Sequence, residues 1–171
     1  MVVSGNKVCY NGDKKPKVGN FSGSRNKQMT YLGEYRVTLD DKGRMRIPNK
    51  IKSQLGSNTV TICAGTDHCL FLMTEKEFSE KIIDLAEETP FKAFPKQKAL
   101  RMFSSTVFVP EEDAQGRFVL PQKLKAYSGI DKKIVFLGAI DRVEIWSEEA
   151  YEAEFGLDEI NINSAVEILG I

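Results

Sequence analysis

The sequence predicts a mixed α+β domain made of two related halves, each built from short strands and short helices. Shifting the 171-residue chain by 73 positions aligns residues 40–78 with 113–151 without a gap. Self-similarity of this kind indicates a duplicated unit. Within each copy, strand-like apolar runs alternate with helical segments bounded by Pro and Gly. The composition, 42% apolar and 28% charged residues, is typical of a soluble globular protein.

Identical residues at the repeat offset fall on turns, helix ends and basic positions. They are the pairs Asp40/Asp113, Gly43/Gly116, Arg44/Arg117, Pro48/Pro121, Lys50/Lys123, Lys52/Lys125, Gly56/Gly129, Gly65/Gly138 and Glu75/Glu148. Apolar positions also correspond, among them Ile47/Leu120 and Leu72/Ile145. Because the period is too long for a solenoid, the repeat indicates a duplicated half-domain with internal pseudo-symmetry.

Each half is predicted to open with a strand and a tight turn. Residues 37–39 and 107–109 have strand composition. Each is followed by Asp-x-x-Gly, with Asp at the first and Gly at the fourth position of a type I turn, at 40–43 and 113–116. We expect Asp40, Gly43, Asp113 and Gly116 to form these turns, and short strands to resume at 45–47 and 118–120.

A short helix is expected next in each half, starting at a proline and ending at a glycine. Pro48 and Pro121 suit the first helical position, and Gly56 and Gly129 suit the left-handed residue that ends a helix. Further strands are expected at 59–64, 69–73, 133–138 and 142–146, and a connecting helix at 95–103.

A capping motif predicts the helix that follows the last strand of the first half. Thr74 and Glu77 form a capping box, with Phe78, Ile82 and Leu85 expected on the inner face of that helix. Ser147 is expected to cap the equivalent helix in the second half, where the reciprocal Glu is missing.

The chain is therefore divided into four segments. Residues 1–28 are rich in Gly, Ser, Asn and Lys, and they are expected to be a disordered basic extension or an expression remnant. Residues 29–94 and 95–156 are the two predicted halves. Residues 157–171 form an apolar, acidic C-terminal extension.

A net charge of zero conceals an uneven distribution of charged residues. Residues 1–28 contain six Lys or Arg against one acid, and residues 42–52 contain five bases and no acid. Residues 143–171 contain eight acids and no base. A basic footprint over the whole molecule is therefore absent, and any DNA binding must use a local basic surface.

The two Asp-x-x-Gly-Arg turns are the best candidates for chemistry. A turn does not require Arg at its fifth position, yet both copies have one, Arg44 and Arg117. Arg can pair with phosphate or guanine, Lys supplies a mobile charge and Gln can pair with adenine. We therefore expect DNA contact from Lys42, Arg44, Arg46, Gln115 and Arg117, with the guanidinium groups projecting into solvent. The alternative is that each Arg pairs with a nearby acid.

The helix lysines leave two interpretations open. Lys50, Lys52, Lys123 and Lys125 lie two residues apart in each helix, so both members of a pair cannot share one face. A solvated surface and contact with phosphates are the two alternatives.

Little in the sequence supports catalysis, a metal or a membrane span. His68 and Cys69 are adjacent on an extended segment, where neighbouring side chains point apart. Cys9, Cys63 and Cys69 lack the spacing of a zinc site and are expected to be reduced thiols in a cytosolic protein. The longest uncharged apolar stretch, 134–140, is much shorter than the roughly 20 residues of a membrane helix. No enzyme activity, cofactor or small-molecule substrate is expected.

Several motifs resemble the MraZ family of bacterial transcriptional regulators. GEYR at 33–36, LDDKGR at 39–44 and IP at 47–48 are similar to the opening of that family. DAQGR at 113–117, LP at 120–121, LG at 137–138 and DRVEIW at 141–146 are similar to its second half. The resemblance covers about residues 29 to 155, roughly three quarters of the chain.

The resemblance implies an AbrB-like fold, in which two pseudo-symmetric halves form a compact β-barrel with short flanking helices. It also implies a ring-like homo-oligomer that binds double-stranded DNA at direct repeats in the promoter of the division and cell-wall gene cluster. In that family the Asp-x-x-Gly-Arg loops face DNA, and by position this role falls on Lys42, Arg44 and Arg117. The expected location is the cytoplasm, in association with the nucleoid.

Two other classes of function remain open. Antitoxins of related fold hold a toxin through a C-terminal segment. Here that segment would use an apolar strip of Leu157, Ile160, Ile162, Val166, Ile168, Leu169 and Ile171. An enzyme using His68 and Cys69 is the remaining class.

Overall fold

The computed structural model describes residues 30–87, 89, 94–156 and 159–170. The predicted basic extension, Cys9, and the strip residues Leu157 and Ile171 lie outside the described residues, as does the side chain of Ile160. The strands are β1 (Tyr31–Thr38), β2 (Arg44–Arg46), β3 (Val60–Ala64), β4 (Leu70–Thr74), β5 (Arg117–Val119), β6 (Lys133–Ile140) and β7 (Val143–Ser147). The helices are α1 (Asn49–Leu55), α2 (Glu75–Glu87), α3 (Phe94–Ser104), α4 (Gln122–Ser128), α5 (Glu148–Phe155) and α6 (Glu159–Leu169).

The strands form one five-stranded sheet and one two-stranded ribbon, so the predicted mixed α+β class is confirmed. The sheet has the order β1-β6-β7-β4-β3, all antiparallel, and the ribbon pairs β2 with β5. Strands from the N-terminal and C-terminal parts of the chain therefore share a single sheet, with β6 and β7 lying between β1 and β4. No ladder among the described residues joins the sheet to the ribbon, and a closed barrel is not confirmed.

Of the three inter-half strand pairs among the described residues, β1–β6, β2–β5 and β4–β7, the last two are centred on residues that are equivalent in the sequence repeat. In the ribbon, Met45 pairs with Phe118, and in the sheet Phe71 pairs with Glu144. Each of these pairs is separated by the 73-residue repeat offset. When two copies of a strand pair antiparallel about equivalent residues, the copies are related by a local two-fold rotation. The duplication seen in the sequence therefore corresponds to a local two-fold arrangement of these strands.

The two halves differ at the outer edges of the sheet. β1 pairs with β6 over eight residues, from Tyr31 to Thr38. The predicted strand at 107–109 is reduced to one bridge, in which Phe108 exchanges two backbone hydrogen bonds of 2.8 Å with Ile62. Pro110 follows at once, and because proline has no backbone N–H it cannot extend the ladder.

Alternating side chains divide the sheet into two buried faces. One face forms the main core with the inner side of the ribbon and with α1 and α4. This core includes Tyr31, Met45, Ile47, Ile51, Ile62, Leu70, Leu72, Phe118, Leu120, Leu124, Ile134, Phe136, Val143 and Ile145. The opposite face of β6 and β7 packs under α5 in a smaller cluster of Cys69, Val135, Trp146 and Tyr151.

The buried Glu144 is the polar member of the central strand pair. Its carboxylate accepts a hydrogen bond from Arg142 Nε at 2.9 Å and another from Trp146 Nε1 at 3.1 Å. Arg142 also lies over the Phe71 ring, 4.9 Å from its centroid. A buried charge is tolerated when it is paired and hydrogen-bonded, so the DRVEIW segment has a structural role beneath α5.

Prolines and glycines delimit α1 and α4, with one correction to the predicted start. Pro48 and Pro121 have ψ values of 137° and 141°, so each is the N-cap residue rather than the first helical residue. An extended ψ suits proline, and its carbonyl still accepts the first helical bonds. Gly56 and Gly129 end the helices with φ of 61° and 64°, as predicted.

The capping box of α2 is confirmed, whereas its predicted inner face is only partly correct. Glu77 N donates to Thr74 Oγ1 at 3.2 Å, and Thr74 N donates to Glu77 Oε2 at 2.9 Å. Phe78 and Ile82 are half-buried, but Leu85 is 46% exposed. Ile83 is exposed as well, so the second half of α2 does not join the core formed by the described residues. At α5, Ser147 Oγ accepts the N–H of Ala150 at 3.2 Å, as expected.

Glu77 also connects β1 to α2, because the buried Tyr31 hydroxyl donates to its carboxylate at 3.0 Å. Burial raises the pKa of Tyr31, so that hydroxyl stays protonated.

We expect Glu77→Ala to lower the free energy of unfolding by about 1–3 kcal/mol, because it leaves buried donors without an acceptor. Chemical denaturation measures this change. Glu80→Ala, an exposed change on the same helix, should keep the free energy of unfolding within about 0.5 kcal/mol of the parent value. Equal losses of stability in the Glu77 and Glu80 variants would contradict this role of Glu77.

Candidate nucleic-acid interface

Each Asp-x-x-Gly segment forms a turn closed by a backbone hydrogen bond. Gly43 N donates to Asp40 O at 2.8 Å, and Gly116 N donates to Asp113 O at 2.8 Å. The two glycines have φ of 70° and 72°, in the left-handed region where a side chain would be strained. The glycine at the fourth position is therefore required by the backbone of both turns.

The aspartate side chains hold the inner backbone of both turns. Asp40 Oδ1 accepts the N–H groups of Lys42 and Arg44, both at 2.9 Å. Asp113 Oδ1 accepts the equivalent groups of Gln115 and Arg117 at 2.9 and 3.0 Å. Each carboxylate thus uses one oxygen for the turn, which leaves the second oxygen for another partner.

The second carboxylate oxygen of each aspartate binds a guanidinium group. Contrary to the prediction, the guanidinium groups of Arg44 and Arg117 therefore do not project freely into solvent. Arg44 Nε and Nη2 each lie 2.7 Å from Asp40 Oδ2, and Arg117 Nη2 lies 2.9 Å from Asp113 Oδ2. Across the two-fold, Arg44 Nη1 lies 3.4 Å from Asp113 Oδ2. Arg117 Nη1 lies 3.7 Å from Asp40 Oδ2. These four residues form the Arg–Asp cluster.

The cluster keeps both aspartates ionised. The Arg44 guanidinium, with the N–H groups of the turn, lowers the pKa of Asp40 to about 2. The backbone N–H of Arg117, followed by its side chain, lowers the pKa of Asp113 to about 2. Because two carboxylates match two guanidinium groups, the cluster is electrically neutral at neutral pH.

The ribbon separates its apolar and cationic residues by alternation. Met45 and Phe118 face the core and are buried. The flanking positions, Arg44 and Arg46 on β2 and Arg117 on β5, lie on the outer face. Arg46 is exposed, donates to Asn49 Oδ1 at 3.1 Å and forms no ion pair with a carboxylate of the described residues. The outer face of the ribbon therefore presents three arginines.

Lysines from α1 and α4 reach across to the turn of the opposite half. Lys125 Nζ lies 3.4 Å from Gly43 O, and Lys52 Nζ forms an ion pair with Glu112 beside Gly116. Lys42, Lys50 and Gln115 are exposed, and their side chains have no partner in the described part of the chain. Lys123 instead binds the end of α3 through Ser105 O at 3.1 Å.

The structure thus brings Lys42, Arg44, Arg46, Gln115 and Arg117 to one ribbon and its two turns. Sequence reasoning missed the crossing of Lys52 and Lys125, although both are identities in the repeat. It also missed Glu112, because the equivalent position is Leu39 and gives no repeat signal.

The His68–Cys69 pair is not arranged for nucleophilic catalysis. Cys69 is buried, and burial raises the pKa of its thiol to about 12. His68 is exposed, with Nδ1 3.2 Å from Tyr127 O. A thiol that stays protonated at neutral pH is a weak nucleophile.

Within the described ranges, no group of three or more His, Cys, Asp or Glu side chains is arranged to hold a metal ion. No helix in that part of the chain has the length and apolar character needed to cross a bilayer.

The depressed pKa values predict how stability changes with pH. The stabilisation from Asp40 is fully present above its ordinary pKa of 3.8 and is lost as the pH falls towards about 2. Asp40→Asn should therefore lower the Tm at pH 7, and the difference from the parent should narrow between about pH 4 and 2. Thermal unfolding followed by circular dichroism measures this. Asp41→Asn, an exposed change in the same turn, is the control, and a Tm difference for Asp40→Asn that does not change with pH would contradict the prediction.

Comparison with known proteins gives a family for this arrangement. The family model described as "MraZ protein, putative antitoxin-like" matches the chain twice in succession, at residues 30–101 and 102–164. The two matches begin 72 residues apart, close to the 73-residue offset of the internal repeat.

Curated relatives agree with the family model. A protein of Carboxydothermus hydrogenoformans named Transcriptional regulator MraZ is 37% identical over 121 residues, covering 71% of this chain and 83% of that protein. One of Caldicellulosiruptor saccharolyticus with the same name is 32% identical over 143 residues, covering 82% and 99%. One of Clostridium botulinum is 39% identical over 122 residues, covering 71% and 84%. The relatives are named as regulators rather than enzymes, in agreement with the non-enzymatic prediction. Two tandem family matches, together with relatives aligned over most of their length, show that this chain belongs to the MraZ family.

Proposed function

We propose that the protein is a sequence-specific transcriptional regulator that contacts double-stranded DNA with the β2–β5 ribbon and its two flanking turns. The observation that carries the proposal is the ribbon itself, which buries Met45 and Phe118 and presents three arginines on its outer face. The major groove of B-DNA admits a two-stranded β-ribbon, and Arg pairs with guanine or phosphate. The name Transcriptional regulator MraZ, given to the relatives, supports the same role.

Within this surface we assign different tasks to the exposed and the clustered residues. Lys42 and Arg46 supply charge that is not neutralised, and Gln115 supplies an amide that can pair with adenine. Arg44 and Arg117 each commit three N–H groups towards the aspartates, and a guanidinium has five N–H donors. The remaining donors are held in a fixed orientation, which reduces the entropy lost on binding a base.

Removing the exposed cations tests the surface without disturbing the Arg–Asp cluster. We expect Arg46→Ala to weaken binding to the specific site by about 1–3 kcal/mol if it contacts a base. Lys42→Ala should weaken binding to all DNA sequences, as loss of a phosphate contact does. It should also reduce the slope of log affinity against log salt concentration by about one. Fluorescence anisotropy with DNA from the promoter upstream of the gene, over a range of salt, gives both quantities.

The matched controls lie away from the ribbon. Arg101→Ala on α3 and Lys76→Ala on α2 remove the same kinds of exposed cation from other surfaces. Parent-like affinity in both ribbon variants, or equal losses in the controls, would refute the assignment of the ribbon.

We further propose that the protein acts as a multivalent, ring-like homo-oligomer on direct repeats upstream of the cell-division and cell-wall gene cluster, on nucleoid DNA in the cytoplasm. One subunit offers a single small ribbon on a chain with zero net charge, so its own affinity is expected to be low. Linking several subunits can raise the overall affinity by about 10²–10⁴. Exposed apolar residues on α2 and α3, including Ile83, Phe94 and Met102, are suited to self-association.

A repeat-number series tests multivalency. DNA with three direct repeats should bind at least about 100-fold tighter than DNA with one, because later contacts are intramolecular. Analytical ultracentrifugation of the free protein should give a mass of several chains. A monomer that binds one repeat and three repeats with equal affinity per repeat would exclude this arrangement.

The arrangement of the two halves around one core is the last part of this proposal. We infer that residues 29–94 and 95–156 are AbrB-like halves whose sheet and ribbon surround one barrel-like core. The core that both halves share, between the sheet and the ribbon, supports this inference.

A second candidate function is an antitoxin-like interaction through α6. The described part of α6 exposes four apolar side chains, those of Ile162, Val166, Ile168 and Leu169. The matching family model is described as "putative antitoxin-like". A partner that co-purifies with the full chain but not with a chain ending at Gly156 would favour this function.

A further inference from the structure

We propose that Glu112 restrains DNA binding at the second turn by holding Lys52 in an ion pair. The inference rests on the proposed function, since it concerns how strongly the same ribbon and turns attract phosphate.

The geometry places Lys52 where it could serve the second turn. Lys52 Nζ lies 3.5 Å from the position that a Cβ on Gly116 would occupy, and Arg46 Nε lies 3.7 Å from the same position. Lys52 Nζ is 2.5 Å from Glu112 Oε2, and that oxygen lies 3.6 Å from the Gly116 position. The lysine and its carboxylate partner therefore lie together at the base of the turn tip.

The equivalent lysine of the first turn, Lys125, forms no ion pair within the described ranges, although Asp41 and Asp131 line the cavity beside it. Lys125, which corresponds to Lys52, points at the first turn and contacts the carbonyl of Gly43 at 3.4 Å. The position equivalent to Glu112 is Leu39, which is buried in the core. Duplicated lysines thus serve both turns, but of the two only Lys52 is held in an ion pair by a carboxylate of the described residues.

Neutralisation of Lys52 matters because the affinity of the protein for DNA depends on cations that are free to replace the counterions of the phosphates. A phosphate contact made by one more Lys steepens the dependence of log affinity on log salt by about 0.9. The Lys52 and Glu112 side chains are 33% and 25% exposed, so both can respond to a nearby phosphate. With Glu112 in place, Lys52 contributes little to the field at the second turn, and the carboxylate opposes an approaching phosphate.

The test is a gain of function. We expect Glu112→Gln to tighten binding to both specific and unrelated duplex DNA by about threefold or more at about 50 mM salt. We also expect the salt dependence to steepen by about 0.9. Fluorescence anisotropy over about 50 to 200 mM salt measures both. Gln keeps an acceptor for the Lys52 ammonium, and the Tm identifies any loss of folding.

Two controls separate the ion pair from simple removal of negative charge. Glu111→Gln removes an exposed neighbouring charge that makes no ion pair in the described ranges, and it should change affinity much less. Lys52→Met should weaken binding in the parent, because it leaves the Glu112 carboxylate unpaired beside the turn, and it should return the Glu112→Gln variant to about the parent affinity.

Equal gains from Glu111→Gln and Glu112→Gln would overturn the inference, as would a gain that persists without Lys52. In either case DNA binding by the parent would leave the proposed function standing. Absence of binding by the parent at low salt would instead refute the proposed function, and this inference with it.

Discussion

The antiparallel pairing of β2 and β4 with their own duplicates, β5 and β7, is the constraint on which the rest of the structure depends. Met45 faces Phe118 in the ribbon, and Phe71 faces Glu144 in the sheet. Neither half contains both strands of either pair, so neither can satisfy those backbone groups alone. The two turns therefore meet at one ribbon, because they are the loops that lead into β2 and β5.

This meeting of the turns gives the Arg–Asp cluster both a local and a long-range function. Locally, each aspartate closes its own turn and binds its own arginine. Across the two-fold, Arg44 and Arg117 also approach the aspartate of the other half. Because the cluster is neutral, the attraction of this surface for phosphate must come from the cations around it. The residues that orient the arginines are thus different from the residues whose charge attracts DNA.

The duplicated halves have diverged most in the charge of their turns. Lys42 at the first tip corresponds to Gln115 at the second, and buried Leu39 corresponds to Glu112. Residues 39–44 carry no net charge, because Asp41 offsets Lys42, whereas residues 112–117 carry a net charge of −1, so the second turn is the more acidic, although the backbone geometry of both is the same. If the ribbon lies in a groove, we expect the first turn to contribute more to affinity and the second to discriminate through directed hydrogen bonds.

The sequence alone determined the local features of this protein. Asp and Gly at fixed spacing specify the turns, Gly56 and Gly129 end the helices, and Thr74 with Glu77 starts α2, because each depends on neighbours within a few residues. The repeat also indicated two related halves and one cationic region. Only the tertiary structure decided where the arginines point, since their partners include carboxylates 69 and 77 residues away. It likewise decided the Lys52–Glu112 pair, because an ion pair between positions distant in sequence leaves no local pattern.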